Sequence, residues 1–334
     1  MKKKQPTPWN GLLKWLPGIL FSAVIIYILS RLVNVNELKT ALISFKLETL
    51  ILIILLVILS IAARSMAWRV MIGEKAKIQD TFFAVSVGYM LNNIIPRSGE
   101  IGKAVLMGAS TGYGTLHVIS TVVVERSLDL AIAAGMFLST LPLALQMEWL
   151  KPIAVISLLI VIVALIVLFI MANNRNTVHR WVTQKGEKSH LIQKYVLPGL
   201  DSLLNGFSIL TKPGQFILCL FWIGLCWAFW ALLYFIAIRT FVPEAPFWWA
   251  IFAQAVLAMG IALPSAPAGL GVFEGALVGA LSVLVVGQQS NSLGMALVLH
   301  VIQIVTTSIL GGIGMLRQGW TLKKLIAQVN IKQS

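Results

Sequence analysis

The chain has 334 residues, 58% of them hydrophobic and 11% charged, with a mean hydropathy of +0.88. Soluble domains carry about 25% charged residues, so the polar surface needed to cover a soluble core of this length is missing. The formal net charge of +14 would point to nucleic acid in a soluble protein, but no basic patch with interleaved aromatics occurs; Lys and Arg instead suit the cytoplasmic loops of a membrane protein.

Apolar runs recur at 50–63, 152–172, 216–238 and 296–316. A span needs ~20 residues to cross ~30 Å of hydrocarbon, and its backbone must be satisfied internally. Continuous runs without two-residue alternation exclude a barrel. The predicted fold is an all-α polytopic membrane protein, about seven full transmembrane helices plus two re-entrant hairpins, in a single membrane domain over 1–334.

In chain order, three lysines precede the first apolar stretch, and Leu29-Ser30-Arg31-Leu32 offers no small-x-small cleavage site. A retained first span at 15–33 is therefore expected. A second span covers 48–66, followed by a basic stretch with Arg64, Arg69, Lys75 and Lys77, read as cytoplasmic. Two short arms, 81–95 and 101–114, flank Pro96-Arg97-Ser98-Gly99-Glu100. Each is too short to cross comfortably, so 81–114 reads as a re-entrant hairpin. Spans follow at 116–141 and 152–171, closing a first half over 1–171.

The segment 172–214 is the longest polar stretch. In it Ile192, Val196, Leu200, Leu203, Phe207 and Leu210 recur at helical spacing, which fits an amphipathic cytoplasmic linker lying on the membrane or a loop helix packed on the spans. The second half, 215–316, opens with a span at 215–239, and Trp248-Trp249 marks an interface. Short arms at 247–263 and 270–286 flank a Pro/Gly-rich break and form a second hairpin, 247–286. A last span, 292–316, leads to a cytoplasmic tail at 317–334.

With both termini in the cytoplasm, the segments 1–14, 64–80, 172–214 and 317–334 hold most of the Lys and Arg. Lys39, Lys46 and Arg31 are the exceptions. The expected location is a bacterial or archaeal cytoplasmic membrane. In this layout the first hairpin enters from the cytoplasm and the second from outside. Their broken centres lie about half a chain length apart, and each is followed by a glutamate, Glu100 and Glu274. An inverted repeat is expected on that basis.

Glu100, Glu125, Asp129 and Glu274 lie in apolar segments, accompanied by Arg97, Lys103 and Arg126. Unpaired, Glu125, Arg126 and Asp129 would add roughly 8–10 kcal/mol to one span. Glu125 and Asp129 share a helix face, and Arg126 neighbours Asp129. One local base for two acids leaves one carboxylate without a local partner, which Arg97 could supply from the first hairpin. The cluster is either a packing ion pair or a functional site. At that hairpin Asn92 and Asn93 offer amides, Arg97 is a fork donor suited to phosphate, and Gly99 and Gly102 permit close approach. The N–H groups of the arm after Ser98 also favour an anion, although Glu100 there could simply cap the dipole. Glu274 is expected to pair with Arg97, Lys103 or Arg126. His300 and Gln303 are read as interhelical hydrogen-bonding groups. Cys219 and Cys226 sit seven positions apart on one predicted helix, roughly 10 Å of rise, too far for a disulfide.

Three ordered blocks resemble a known family: Asn92-Asn93-x-x-Pro96-Arg97-x-Gly99-Glu100, Val124-Glu125-Arg126-x-x-Asp129, and Leu263-Pro264-x-x-Pro267-x-Gly269-x-Gly271-x-x-Glu274. They are similar to the signature blocks of the flippase-like family that includes the transmembrane region of lysylphosphatidylglycerol synthases. The resemblance implies lipid translocation between leaflets. It carries over Asn93, Pro96, Arg97, Glu100, Glu125, Arg126, Asp129, Gly269, Gly271 and Glu274 as substrate-binding or translocation residues, with no catalytic or metal-binding residue. Because the chain stops at Ser334, soon after the last span, the aminoacyl-transferring activity of the synthases is not expected here.

The leading expectation is a translocator of a phosphate-bearing lipid, with no cofactor and no nucleic acid, able to act as a homo-oligomer. An ion-coupled small-solute transporter, with Glu125 and Asp129 as proton carriers, is the alternative. An intramembrane enzyme is the third reading, against which stand the single buried Asp, the missing D-x-D motif and the lack of a Ser–His arrangement. No nucleotide-binding loop is present.

Overall fold

The computed structural model describes residues 16–147, 213–263 and 265–321, with scattered residues between 152 and 180. The expected linker at 172–214 lies outside the described residues apart from isolated positions, as does nearly all of the tail. Every described element is helical, as expected from uninterrupted apolar runs.

In chain order the helices are α1 (Leu16–Leu32), α2 (Val35–Ile43), α3 (Leu47–Ile72), α4 (Ile78–Ile94), α5 (Gly99–Thr111) and α6 (Thr115–Leu145). After the incompletely described stretch come α7 (Pro213–Arg239), α8 (Phe247–Ile261), α9 (Val272–Leu284) and α10 (Gln289–Arg317). Five segments among the described residues are long and apolar enough to cross a membrane, or six if a bent pair counts as one span. The bent pair joins α1 to α2 at 97°. The expected outside loop at 34–47 is therefore mostly helix. Asn34 caps α2 by accepting the Asn36 N–H at 2.9 Å, and its own N–H donates to Ser290 of α10.

Exposed apolar side chains such as Leu20, Ile217, Phe221, Val301 and Ile309 cover the outside of the bundle. On a soluble protein they would form an aggregating patch; on an integral membrane protein they face lipid.

Two runs of four helices repeat one order of lengths. In the first, α3, α4, α5 and α6 have 26, 17, 13 and 31 residues. In the second, α7, α8, α9 and α10 have 27, 15, 13 and 29. The packing follows suit: α3 lies along α7, α4 along α10, and α8 along α6. Exchanging the two runs maps the first pair onto itself and the other two onto each other. α3 and α7 run antiparallel, since Phe45 at the start of α3 meets Phe241 beyond the end of α7 at 5.5 Å.

Both short-armed hairpins form, and glycine sets their closeness. A Cβ added at Gly99 would stand 2.0 Å from the Gly88 carbonyl oxygen, so α4 and α5 touch backbone to backbone. Each tip turns on a proline followed by a non-glycine residue at φ +60°: Pro96-Arg97 and Pro267-Ala268. Each turn is closed by an N–H to a carbonyl three residues back, Ser98 to Ile95 and Gly269 to Ala266. The tips meet: the Arg97 guanidinium donates to the Ala262 carbonyl at 2.6 Å.

Candidate functional site

α6 carries Glu125, Arg126 and Asp129 into the bundle, and three neighbouring helices answer them. Glu125 and Asp129, one turn apart, face α3. There Arg64 lies 2.7 Å from Asp129 and 3.5 Å from Glu125. Lys103 of α5 pairs with the other oxygen of Glu125, and its ammonium sits over the Trp68 ring at 4.4 Å. The Trp68 indole N–H donates to Thr121 at 3.0 Å. From α7 the Trp227 indole N–H donates to Asp129 at 3.1 Å. Arg126 turns outward along α6, 3.7 Å from Glu100, 3.8 Å from Glu125 and 3.5 Å from Asp129.

Three carboxylates thus balance three cations. The balance offsets the insertion cost that α6 could not meet alone. The inner pairs are tight and dry: Arg64, Lys103, Glu125 and Asp129 are all buried. The outer pair is loose. The Arg126 side chain is 46% exposed and that of Glu100 28%, and Glu100 Oε2 and Glu125 Oε1 have no hydrogen-bond partner. A cleft of about 240 Å³ opens at this loose edge, lined by Val85, Gly88, Tyr89, Asn92, Gly99, Glu100, Lys103, Glu125 and Arg126. Another cleft, of about 280 Å³, lies between α7 and the base of the second hairpin. Its lining is chiefly apolar, with Gln288, Asn291 and Ser292 as polar exceptions.

The family model for the lysylphosphatidylglycerol synthase transmembrane region matches residues 15–311. The chain belongs to that family. No curated protein and no solved structure matches it.

In this member of the lysylphosphatidylglycerol synthase transmembrane-region family, the three sequence blocks meet at two places. Glu100, Glu125, Arg126 and Asp129 form the charged cluster and its cleft. Arg97, Gly269, Gly271 and Glu274 belong to the apposed tips. Asn93 holds α4 on α10, its amide donating to Thr307 and Ser308 at 3.0 and 3.1 Å. Pro96 starts the first tip turn. Gly271, at φ +81°, packs against the Ser22 carbonyl of α1, where a Cβ would come within 2.8 Å.

Three expectations need correction. Arg64 does not belong to a cytoplasmic basic stretch: α3 runs on to Ile72, and Arg64 lies inside it as the main partner of Asp129. Arg97 is not the partner of either acid on α6, because its turn directs it across to the second tip. Glu274 pairs with none of the three expected cations. Its Oε2 accepts the Gly271 N–H at 2.7 Å and its Oε1 meets His300 Nδ1 at 2.6 Å. The expected anion site at the start of α5 is in part occupied by the protein itself, since Asn92 Oδ1 accepts the Gly99 N–H at 2.8 Å.

Sequence reasoning missed Arg64, Tyr89 and Trp227 as parts of the site. The signal for Arg64 was available: two acids and one base on α6 require a second base, and apolar residues continue beyond Arg64 through Ala67, Trp68 and Val70-Met71-Ile72. The reading of His300 as an interhelical hydrogen-bonding group holds.

Proposed function

We propose that this protein translocates a phosphate-bearing lipid between leaflets, receiving the headgroup in the cleft between the first hairpin and α6. The observation that carries this is the loose edge of an otherwise tight charge cluster. Arg126 is held by its acids only at 3.5–3.8 Å and is nearly half exposed. A phosphate can therefore take the Arg126 fork from Glu100 without disturbing the buried Arg64–Asp129 and Lys103–Glu125 pairs. Asn92 and Tyr89 line the same cleft with neutral polar groups. The cleft opens to the outside of the bundle rather than enclosing a ligand, which suits a headgroup whose acyl chains remain in lipid.

The matching helix lengths, the exchanged packing of α4 on α10 and α8 on α6, and the antiparallel α3–α7 pair support an inverted repeat with its tips apposed at the centre. We place both termini in the cytoplasm on the distribution of Lys and Arg.

The experiment is leaflet exchange of fluorescent phosphate lipids in vesicles reconstituted with the full chain. Wild type is expected to exceed empty vesicles, and Arg126→Gln to lose at least tenfold. Glu100→Gln, which removes one of the three acids around Arg126, is expected to retain exchange. Wild-type exchange equal to that of empty vesicles across anionic and zwitterionic phospholipids would sink the reading.

A further inference from the structure

The charged cluster leaves one buried titratable pair unused. Glu274, in the first turn of α9, and His300, in the middle of α10, are both buried. They join the second hairpin to α10, at 2.6 Å between Oε1 and Nδ1. The other imidazole nitrogen, Nε2, lies 2.9 Å from the carbonyl oxygen of Ala268, the left-handed residue of the tip turn. The Phe273 ring stacks on the imidazole at 4.2 Å and fixes its plane.

The partners of the two ring nitrogens fix the number of protons on the pair. A carbonyl oxygen only accepts, so Nε2 carries a hydrogen. At the other nitrogen, an imidazole lone pair facing a carboxylate would set two acceptors 2.6 Å apart. One further proton must lie between them, on His300 as imidazolium or on Glu274 as carboxylic acid. In both arrangements the pair is neutral overall. Removing that proton leaves a net negative charge, buried, with two lone pairs opposed.

The charged groups on the helices packed against α9 and α10 are engaged elsewhere or exposed; on α6, which also touches α9, Arg126 is held among Glu100, Glu125 and Asp129. α1, packed on α9, carries Tyr27 and Arg31, which are exposed and bonded to each other. α2, packed on α10, carries Glu37 and Lys39, both exposed. From α4, Tyr89 lines the headgroup cleft and Asp80 sits at the far end beside Gln318. From α3, Arg64 is engaged by Asp129, and from the first tip Arg97 is held on the Ala262 carbonyl. At the far end of α10, Arg317 donates to Gln79.

We propose that Glu274 and His300 form a proton-binding site that latches the second hairpin tip, so that losing the proton to water releases the tip. The latch reaches the first hairpin through the same tip, because the loop that bears Ala268 also bears the Ala262 carbonyl that holds Arg97. Protonation therefore favours apposed tips, and deprotonation favours their separation. One proton taken up on closing shifts the opening equilibrium by at most about tenfold per pH unit. The consequence for lipid exchange rests on the proposed function; the proton site itself does not.

Glu274→Gln separates the two. The amide can donate to Nδ1 and accept from Gly271, which keeps both hydrogen bonds, but it has no titratable proton. Protein labelled with ¹⁵N-histidine in vesicles reports on His300 directly, with His300→Asn assigning its signal among the four histidines. In wild type the His300 signal should change as the shared proton is lost on raising the pH, and in Glu274→Gln it should stay neutral and singly protonated throughout. Lipid exchange in wild type should rise with pH by up to about tenfold per unit as that proton is lost, and in Glu274→Gln it should be slow and flat. A His300 signal that is unchanging and identical in both proteins would overturn the site. A titrating His300 with superimposable exchange profiles in both proteins would overturn the latch. Wild-type exchange no faster than empty vesicles would remove the lipid reading, leaving the nitrogen spectra to decide the proton site.

Discussion

Arg64→Met tests the largest departure of the structure from the pattern of its sequence. Arg64 is 6% exposed, and its Nη1 lies 2.7 Å from Asp129 and 3.5 Å from Glu125. Removing one partner of a buried pair costs about 3–5 kcal/mol, most of it from the charge left behind. Asp129 would keep Trp227 at 3.1 Å and Arg126 at 3.5 Å, and Glu125 would keep Lys103. These put the expected loss at the lower end, about 3 kcal/mol. In the double variant Arg64→Met/Asp129→Asn, base and acid leave together and an acceptor for the Trp227 indole remains. Its loss should fall short of the sum of the single losses by at least about 1 kcal/mol. Reversible unfolding in mixed micelles, followed by circular dichroism, measures all three against wild type. Arg64→Met within about 0.5 kcal/mol of wild type is what an exposed loop arginine gives, and that result would refute the buried assignment.

Four further outcomes follow from contacts already described. Gly99→Ala drives a methyl into the Gly88 carbonyl and should cost about 1–3 kcal/mol by the same assay. Trp227→Phe removes a donor from Asp129 while keeping an aromatic ring, and should cost about 1.5–3 kcal/mol, the range for a hydrogen bond to a charged group. Arg97→Ala loses one exposed charge-assisted bond between the tips; its stability loss should stay below about 1 kcal/mol, while electron–electron distances between spin labels on the two tips should lengthen. Cys219 and Cys226, both buried and unpaired, should resist a membrane-permeant maleimide until the protein is unfolded in dodecyl sulfate, as labelling followed by mass spectrometry would report.

Much of the fold is legible because lipid leaves the backbone one helical solution per apolar run. The hairpins were legible for a different reason. Proline and glycine in the middle of an apolar stretch favour a break: α4 stops at Ile94, just before Pro96, and the chain between α8 and α9 turns at Pro267. The charged residues announced themselves through the cost of burying them. Their partners did not, because pairing across helices depends on rotation and depth, which local spacing does not encode. Arg64 looked like the start of a loop because Arg69, Lys75 and Lys77 follow it; only the far end of α3 shows that a full turn of helix separates Arg64 from Arg69. Glu274 looked like a free acid in search of a cation, yet its partner is an imidazole 26 positions downstream that can be neutral. The bend between α1 and α2 was hidden because Val35–Ile43 is too short and too polar to read as a span.

The two halves share a scaffold but not a chemistry, and that difference bears on how such a protein could move. In the first half, the arm after the tip carries Glu100 and Lys103, and the long helix beyond it carries Glu125. In the second half, the corresponding arm carries Glu274, and the long helix beyond it carries His300. Both glutamates lie in the first turn after their tip, and both face a titratable partner on the next long helix: Arg126 for Glu100, His300 for Glu274. A guanidinium keeps its charge at any physiological pH, whereas an imidazole gives its charge up. The first glutamate can therefore lose its partner only to a competing anion, and the second only by losing a proton. The tips touch through Arg97 and Ala262, and the first tip runs directly into the turn of α5 that bears Glu100. On the function and the proton latch proposed above, an anion in the Arg126 cleft and a proton at the second tip would act on one equilibrium, the minimum required for coupling between two sites.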